Sequence, residues 1–263
     1  MTPTESTQDL ADEATLQLDE QGRLRHLLTL KGLDADLLKA ILDDAEAYLT
    51  APGVLPARSQ SLAGRTVGNL FFEPSTRTRA SFDLAGKRLG ADVLNLDVNT
   101  SSRKKGESIL DTIYTLEAMH VQVMVVRDAS DGVPAFIARN VEDHISILNA
   151  GESDVSHPTQ GLLDVLTIRQ RKPDFANLVV TIVGDIQHSR VAMSVSQALM
   201  TLGVGELRLV SPQALAPDPE RFPGARIIDN LADGLRDADV VMALRIQRER
   251  IGNLDGVPAI DEY

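Results

Sequence analysis

The chain has no cysteine and no tryptophan, and aromatic residues make up only 3% of it. Without thiols it can form no disulfide, no thiolate metal site and no cysteine nucleophile, and it fits a reducing compartment. Its five histidines are scattered, with no His-Glu-x-x-His or similar ligand spacing, so no metal is expected. No apolar run approaches the ~20 residues of a membrane span. No amino-terminal signal pattern is present either. The expectation is a soluble, unexported, cytoplasmic protein with no membrane partner. Neither G-x-G-x-x-G nor a Walker loop occurs, and no cofactor is implied.

What is present is a chain of 263 residues with 43% hydrophobic content, enough for one large or two modest domains. The net charge of −12 argues against nucleic acid as a partner. That charge is uneven. Residues 1–22 hold six acids and no Lys or Arg, which reads as a mobile acidic tail. Residues 65–105 hold eight basic residues against four acids. One basic stretch in an acidic chain suits a small anionic ligand, although charge runs are commonly solvated faces.

Leu33, Leu37, Leu38, Ile41, Leu42, Ala45 and Leu49 recur at helical spacing over 33–50, ahead of the Pro52-Gly53 break. From Thr66 onward, strand-like and helix-like segments alternate. The first series of strands is expected at 66–72, 92–96, 121–126 and 145–148. The second is expected at 178–183, 206–210 and 239–244. Helices are expected at 107–119, 157–171 and 189–202, and a surface loop at 211–223. Short, mostly apolar strands joined by crossover helices predict parallel sheets covered on both faces. The fold class is therefore α/β, with two Rossmann-like domains at about 23–152 and 153–263. In such sheets ligands bind outside the carboxyl ends of the strands.

The candidate functional residues fall at such ends. The apolar run through Phe71-Phe72 stops at Glu73-Pro74, and a helical pattern starts at Ser75-Thr76-Arg77-Thr78-Arg79. First-turn amides and the positive end of the helix dipole, joined by hydroxyls and guanidinium groups, make a phosphate site. The plain alternative is a capping serine followed by two solvated arginines. Arg127 directly follows a predicted strand, as a third guanidinium or as an ordinary terminal charge. His157-Pro158-Thr159-Gln160 opens a helix, where an imidazole and a carboxamide can polarise a carbonyl or simply cap and solvate. Ser101-Ser102-Arg103-Lys104-Lys105 is a basic loop entering a helix. Arg190 follows the strand end Val183-Gly184-Asp185, and on the residues alone it reads as a solvated helix arginine. Arg245 and Gln247 follow the last predicted strand, where a charged surface turn is the alternative.

Taken together, Phe-Phe-Glu before Ser-Thr-Arg-Thr-Arg, the His-Pro-Thr-Gln segment and the lysine loop resemble the signatures of the transcarbamylase family, from about Leu27 onward. The resemblance points to the aspartate-using branch. It implies transfer of a carbamoyl group from carbamoyl phosphate to L-aspartate, an early step of pyrimidine synthesis. Ser75, Thr76, Arg77, Thr78, Arg127, His157, Gln160 and Ser101 would bind carbamoyl phosphate. Arg77, Thr78, Arg127 and His157 would be catalytic. Lys105, Arg190, Arg245 and Gln247 would bind aspartate, Ser101 and Lys105 serving a neighbouring subunit of a homotrimer. Regulatory or dihydroorotase-like partner chains are compatible with this reading. Ornithine transcarbamylase is one alternative, but its ornithine-reading aspartate and Ser-Met pair have no match here. An inactive scaffold subunit of a pyrimidine-pathway assembly is the other. The resemblance also implies a further segment beyond Tyr263, with a loop touching both substrates and a last helix.

Overall fold

The computed structural model describes residues 15–96 and 108–247. Internal contacts divide the chain into Met1–Gly32 with Asp43–Ser153, and Leu33–Leu42 with Asp154–Tyr263. In chain order the described helices are α1 Ala35–Glu46, α2 Thr76–Arg88, α3 Ile109–Ala118, α4 Val133–Ala138, α5 Pro158–Arg169, α6 Arg190–Thr201 and α7 Leu231–Leu235.

The sheet of the first unit comprises β1 Thr66–Phe71, β2 Asp92–Leu96, β3 Val123–Asp128 and β4 Ser146–Glu152, all parallel in the order β2-β1-β3-β4. Central strands of such a sheet are apolar on both sides because helices cover both faces. On one face Leu70, Met124, Val126 and Ile147 pack with Ile113, Leu116 and Ile137. On the other, Val67, Phe71, Val125 and Ala150 meet Phe82. After β1 the chain turns one way to β2, then crosses to β3 on the other side. The carboxyl ends of β1 and β3 are thus a topological switch point, where an open α/β sheet leaves a crevice.

The second unit repeats the plan with β5 Val179–Val183, β6 Glu206–Val210, β7 Arg226–Ile228 and β8 Val240–Ala243, parallel in the order β7-β6-β5-β8. Val180, Ile182, Leu207 and Leu209 are buried. α5 packs on α6, and their inward faces carry Val165, Val195 and Leu199. The switch point here lies between β5 and β8. The α/β class and the two parallel sheets flanked by helices are as the sequence pattern predicts.

Several expectations need correction. The acidic tail does not extend to residue 22. Gln17 is fully buried, and its Oε1 accepts from the amides of Leu28 and Thr29 at 2.8 and 2.9 Å, while Asp19 binds Arg23. A buried carboxamide matched to backbone donors ties residues that composition alone marks as disordered. Arg127 lies within β3 rather than after it. The strand β7 and the short helix α7 lie outside the expected elements. The 211–223 stretch is more than a surface loop, because it buries Leu215 and Phe222. Short elements carry too little periodicity to be seen in a sequence.

Candidate active site

Phe72 follows β1, and its amide donates to the carbonyl of Arg127 at 2.8 Å, so the ends of β1 and β3 are laced together. Ser75 then caps α2 in an extended conformation, with φ −158° and ψ 106°, yet its side chain bonds none of the first-turn amides. Thr76 and Arg77 are exposed there, and Ser75 and Thr78 are partly so. An open cleft of about 510 Å³ adjoins this helix start, lined by Phe71, Pro74, Ser75, Thr76, Arg79, Ala80, Asp83 and Asn95. Arg79 lies over the Phe71 ring, 5.3 Å from its centroid, a cation–π contact that turns it back toward the sheet.

Arg127 is only 7% exposed. Its Nη2 donates to Glu73 Oε1 at 2.8 Å and its Nη1 to the Ala150 carbonyl at 3.1 Å. Opposite it β4 carries an extra residue, since Val126 pairs with Asn149 but Asp128 with Glu152. The bulge includes Gly151 at φ +116°, a conformation favoured only by glycine. Extra backbone at that point turns the Ala150 carbonyl toward the guanidinium. Burial and two acceptors leave Arg127 held in place beside the helix start.

In the second unit His157 is the cap of α5 and is 7% exposed. Its backbone amide donates to Ser194 Oγ at 2.9 Å, and its Nδ1 lies 3.4 Å from Thr159 Oγ1. No side chain caps this helix either, and Pro158 occupies its first turn. Gln160 Nε2 donates to Asp164 Oδ1 at 2.9 Å. Burial pushes the Asp164 carboxyl up to about 6, the Gln160 bond opposing it.

At the β5/β8 switch point Gly184 sits at φ +127°, and a Cβ there would lie 2.5 Å from the Leu244 carbonyl oxygen. Only glycine lets the two strand ends approach so closely. Asp185 is fully buried. Its Oδ1 lies 2.8 Å from His188 Nδ1, and its Oδ2 accepts from the Gln247 amide at 3.0 Å. Gln247 Nε2 donates to the His188 carbonyl at 2.7 Å. Arg190 opens α6 and is 7% exposed, so it is not the solvated helix arginine that the residues alone suggest. Arg245 is exposed and donates to the Ile246 carbonyl at 3.4 Å.

The first unit therefore brings together Ser75, Thr76, Arg77, Thr78 and Arg127, and the second carries His157, Gln160, Arg190, Arg245 and Gln247. Ser101 and Lys105 lie outside the described residues. A family profile for the carbamoyl-P binding domain of aspartate/ornithine carbamoyltransferases matches residues 25–170. The chain belongs to that family. Solved structures agree. An aspartate transcarbamoylase from Trypanosoma cruzi in complex with N-(phosphonacetyl)-L-aspartic acid is 30% identical, with 86% of this chain and 74% of that one covered at a TM-score of 0.77. The catalytic subunit of M. jannaschii aspartate transcarbamoylase is 30% identical over 88% and 77% of the chains, with a TM-score of 0.75. An ornithine carbamoyltransferase from Thermus thermophilus shares the fold, with a TM-score of 0.75 at 24% identity over 90% and 79%.

Two features of this carbamoyltransferase escape sequence reasoning. Glu73 and Asp185 anchor Arg127 and Gln247, which lie far from them in sequence, and nothing in their local sequence shows those partners. Asp164 does carry a signal, because it stands four residues after Gln160 on one helix, where side chains meet. Both Gln160 and Gln247 have Nε2 tied down, to Asp164 Oδ1 and to the His188 carbonyl.

Proposed function

We propose that this carbamoyltransferase moves the carbamoyl group of carbamoyl phosphate to L-aspartate, giving N-carbamoyl-L-aspartate and phosphate. The donor's phosphate rests on the uncapped start of α2, held by Ser75, Thr76, Arg77, Thr78 and Arg127. Its carbonyl oxygen is polarised by Thr78, Arg127 and His157, and its amino group donates to Gln160. Arg190 and Arg245 take the two carboxylates of aspartate, and Gln247 accepts from its amine. The unprotonated amine attacks the carbonyl carbon and forms a tetrahedral oxyanion. The C–O bond to phosphate then breaks, and the amine nitrogen gives up a proton that leaves on the departing phosphate. No nucleophilic side chain is required, since placement and neutralisation of developing charge supply the rate.

The observation that carries the reading is the β1/β3 switch point: an uncapped helix start with exposed Arg77 beside buried, anchored Arg127. Preference for aspartate rests on Arg190 and Arg245 at the second switch point, two cations suited to a dicarboxylate. Ser101 and Lys105 are assigned from the family resemblance, as is a cytoplasmic homotrimer in pyrimidine synthesis. The test is a product assay with carbamoyl phosphate plus either L-aspartate or L-ornithine. Carbamoyl-aspartate is expected. Citrulline would instead make this an ornithine enzyme, and no product with either amine would leave the scaffold reading standing.

A further inference from the structure

We infer that Asp164 is a positioning residue: it fixes which end of the Gln160 carboxamide faces the ligand, and so selects a donor that carries an N–H group. The inference rests on the assignment of Gln160 to the carbamoyl amino group. A carboxamide has an accepting end and a donating end of nearly equal shape. Turned one way, Gln160 accepts from an amino group; turned the other, it sets its own N–H₂ against that group. Something must choose between them. An ionised carboxylate can only accept, so the 2.9 Å bond from Gln160 Nε2 to Asp164 Oδ1 locks the first orientation. The spacing of four residues on α5 places the two side chains one above the other, so the lock is built into a single rigid element.

The carboxylate does not stand there for stability. Asp164 is half-buried, and its Oδ2 is closed off from solvent without a hydrogen-bond partner among the described residues. Asp164 has no ion pair among them either. On its own helix the other charged group is Arg169, and on α6, packed against it, Arg190. In the 33–42 segment of the same unit Asp34, Asp36 and Lys39 are exposed. A desolvated, half-satisfied carboxylate opposes folding. Its carboxyl, raised by burial to about 6, says the same. An apolar side chain would serve the fold better, so retention of an acid here points to the orientation of Gln160. Protonation would turn Asp164 into a donor able to bond Oε1 instead, which frees the amide to flip.

Acetyl phosphate provides the probe, because it keeps the phosphate and the carbonyl but replaces the amino group with a methyl. Titration calorimetry of the full chain with each compound at pH 8 gives the preference for carbamoyl phosphate. Asp164→Leu is expected to lower that preference about tenfold, the worth of one hydrogen bond. The loss should fall on carbamoyl phosphate alone, and the melting temperature should rise. Asp164→Asn, which can still accept from Nε2, should lose about threefold, and it serves if the leucine variant fails to fold. In a Gln160→Ala background the Asp164→Leu effect should vanish. Wild-type preference should also decline as the pH falls through about 6. An unchanged preference in both Asp164 variants, equal losses for both compounds, or a loss that persists without Gln160 would overturn the inference. A wild-type chain that binds neither compound would instead remove the donor-site assignment beneath it.

Discussion

After β1 the chain enters a helix whose capping serine, Ser75, leaves the first-turn amides without a side-chain partner. After β5 it enters another, and there Ser189 accepts from the Ala192 amide at 3.1 Å. The two switch points are built on the same topology, and the same residue type sits at the cap. One helix start is left open and the other is closed. Ser108 and Asp34 likewise cap their helices, by bonds to the amides of Asp111 and Leu37. An open start suits a phosphate, which can take the place of the capping oxygen on the backbone amides. A closed start leaves recognition to side chains, and at β5/β8 those side chains are organised by the buried Asp185. The lesson is that a cap residue identifies a helix start, whereas only the structure shows whether that cap bonds the first-turn amides or leaves them open.

Each switch point also pairs a buried arginine with an exposed one: Arg127 with Arg77, and Arg190 with Arg245. The largest effects should separate these two kinds. Arg127→Ala removes a buried guanidinium from between Glu73 and the Ala150 carbonyl, and it should destabilise the protein by about 3–5 kcal/mol in urea unfolding. Arg77→Ala should leave stability within about 0.5 kcal/mol, because the side chain is exposed. It should nonetheless lower kcat by about 10²–10³, the usual loss for one donor to a developing oxyanion. If Arg77→Ala unfolds the protein, or retains its turnover, the division into anchor and ligand-facing arginine is wrong.

Much of this was legible in the sequence. Periodicity and apolar runs gave seven of the strand positions to within a few residues, because parallel strands covered on both faces are continuous apolar segments. The helix starts at Ser75 and His157 were visible from Ser and Pro at fixed offsets. The partners were not. Glu73 reaches Arg127 across 54 positions, and Asp185 reaches Gln247 across 62. Such pairings depend on which strands become neighbours, and a single sequence does not display that. The burial of Arg190 and the order of Gln17 were missed for the same reason: both residue types are usually exposed.

Asp185 tests the closed switch point. Asp185→Ala removes the acceptor of the Gln247 amide and the partner of His188. The expected result is a loss of about 1–3 kcal/mol, the usual cost of removing the acceptor of partly buried donors. The KM for the amine substrate should rise while affinity for inorganic phosphate stays the same. A parallel fall in phosphate affinity would show that the two switch points are not independent.

The two capping serines give a smaller and sharper contrast. Ser189→Ala should lower stability by about 1 kcal/mol, as loss of a cap does. Ser75→Ala should leave stability unchanged, since its hydroxyl caps nothing, yet weaken carbamoyl phosphate binding about tenfold. Thermal unfolding and a binding titration on the two variants decide it. Equal destabilisation by both would mean that Ser75 is an ordinary cap.

Acid should divide the two units by about 1 kcal/mol each, in opposite directions. In the first unit His26 is fully buried, and its Nδ1 accepts from the Ile147 amide at 3.0 Å. Burial, and secondarily the charge of Arg25, lower its pKa from 6.5 to about 4. The unfolded chain therefore takes up this proton first, and the stability His26 confers is complete above 6.5 and lost as the pH falls toward 4. In the second unit Asp164 is raised from 3.8 to about 6, so its penalty is full above 6 and relieved as the pH falls toward 3.8. Between pH 7.5 and 5, after discounting for residual solvent screening, the first unit should lose and the second gain about 1 kcal/mol each. Hydrogen exchange, corrected for its intrinsic pH dependence, reads the two separately. Protection of β1, β3 and β4 amides should fall relative to that of β5 and β6. His26→Asn should abolish the first change and Asp164→Asn the second, because neither replacement titrates in this range. If both units shift together in wild type, their acid response comes from charge spread over the surface and not from these two buried groups.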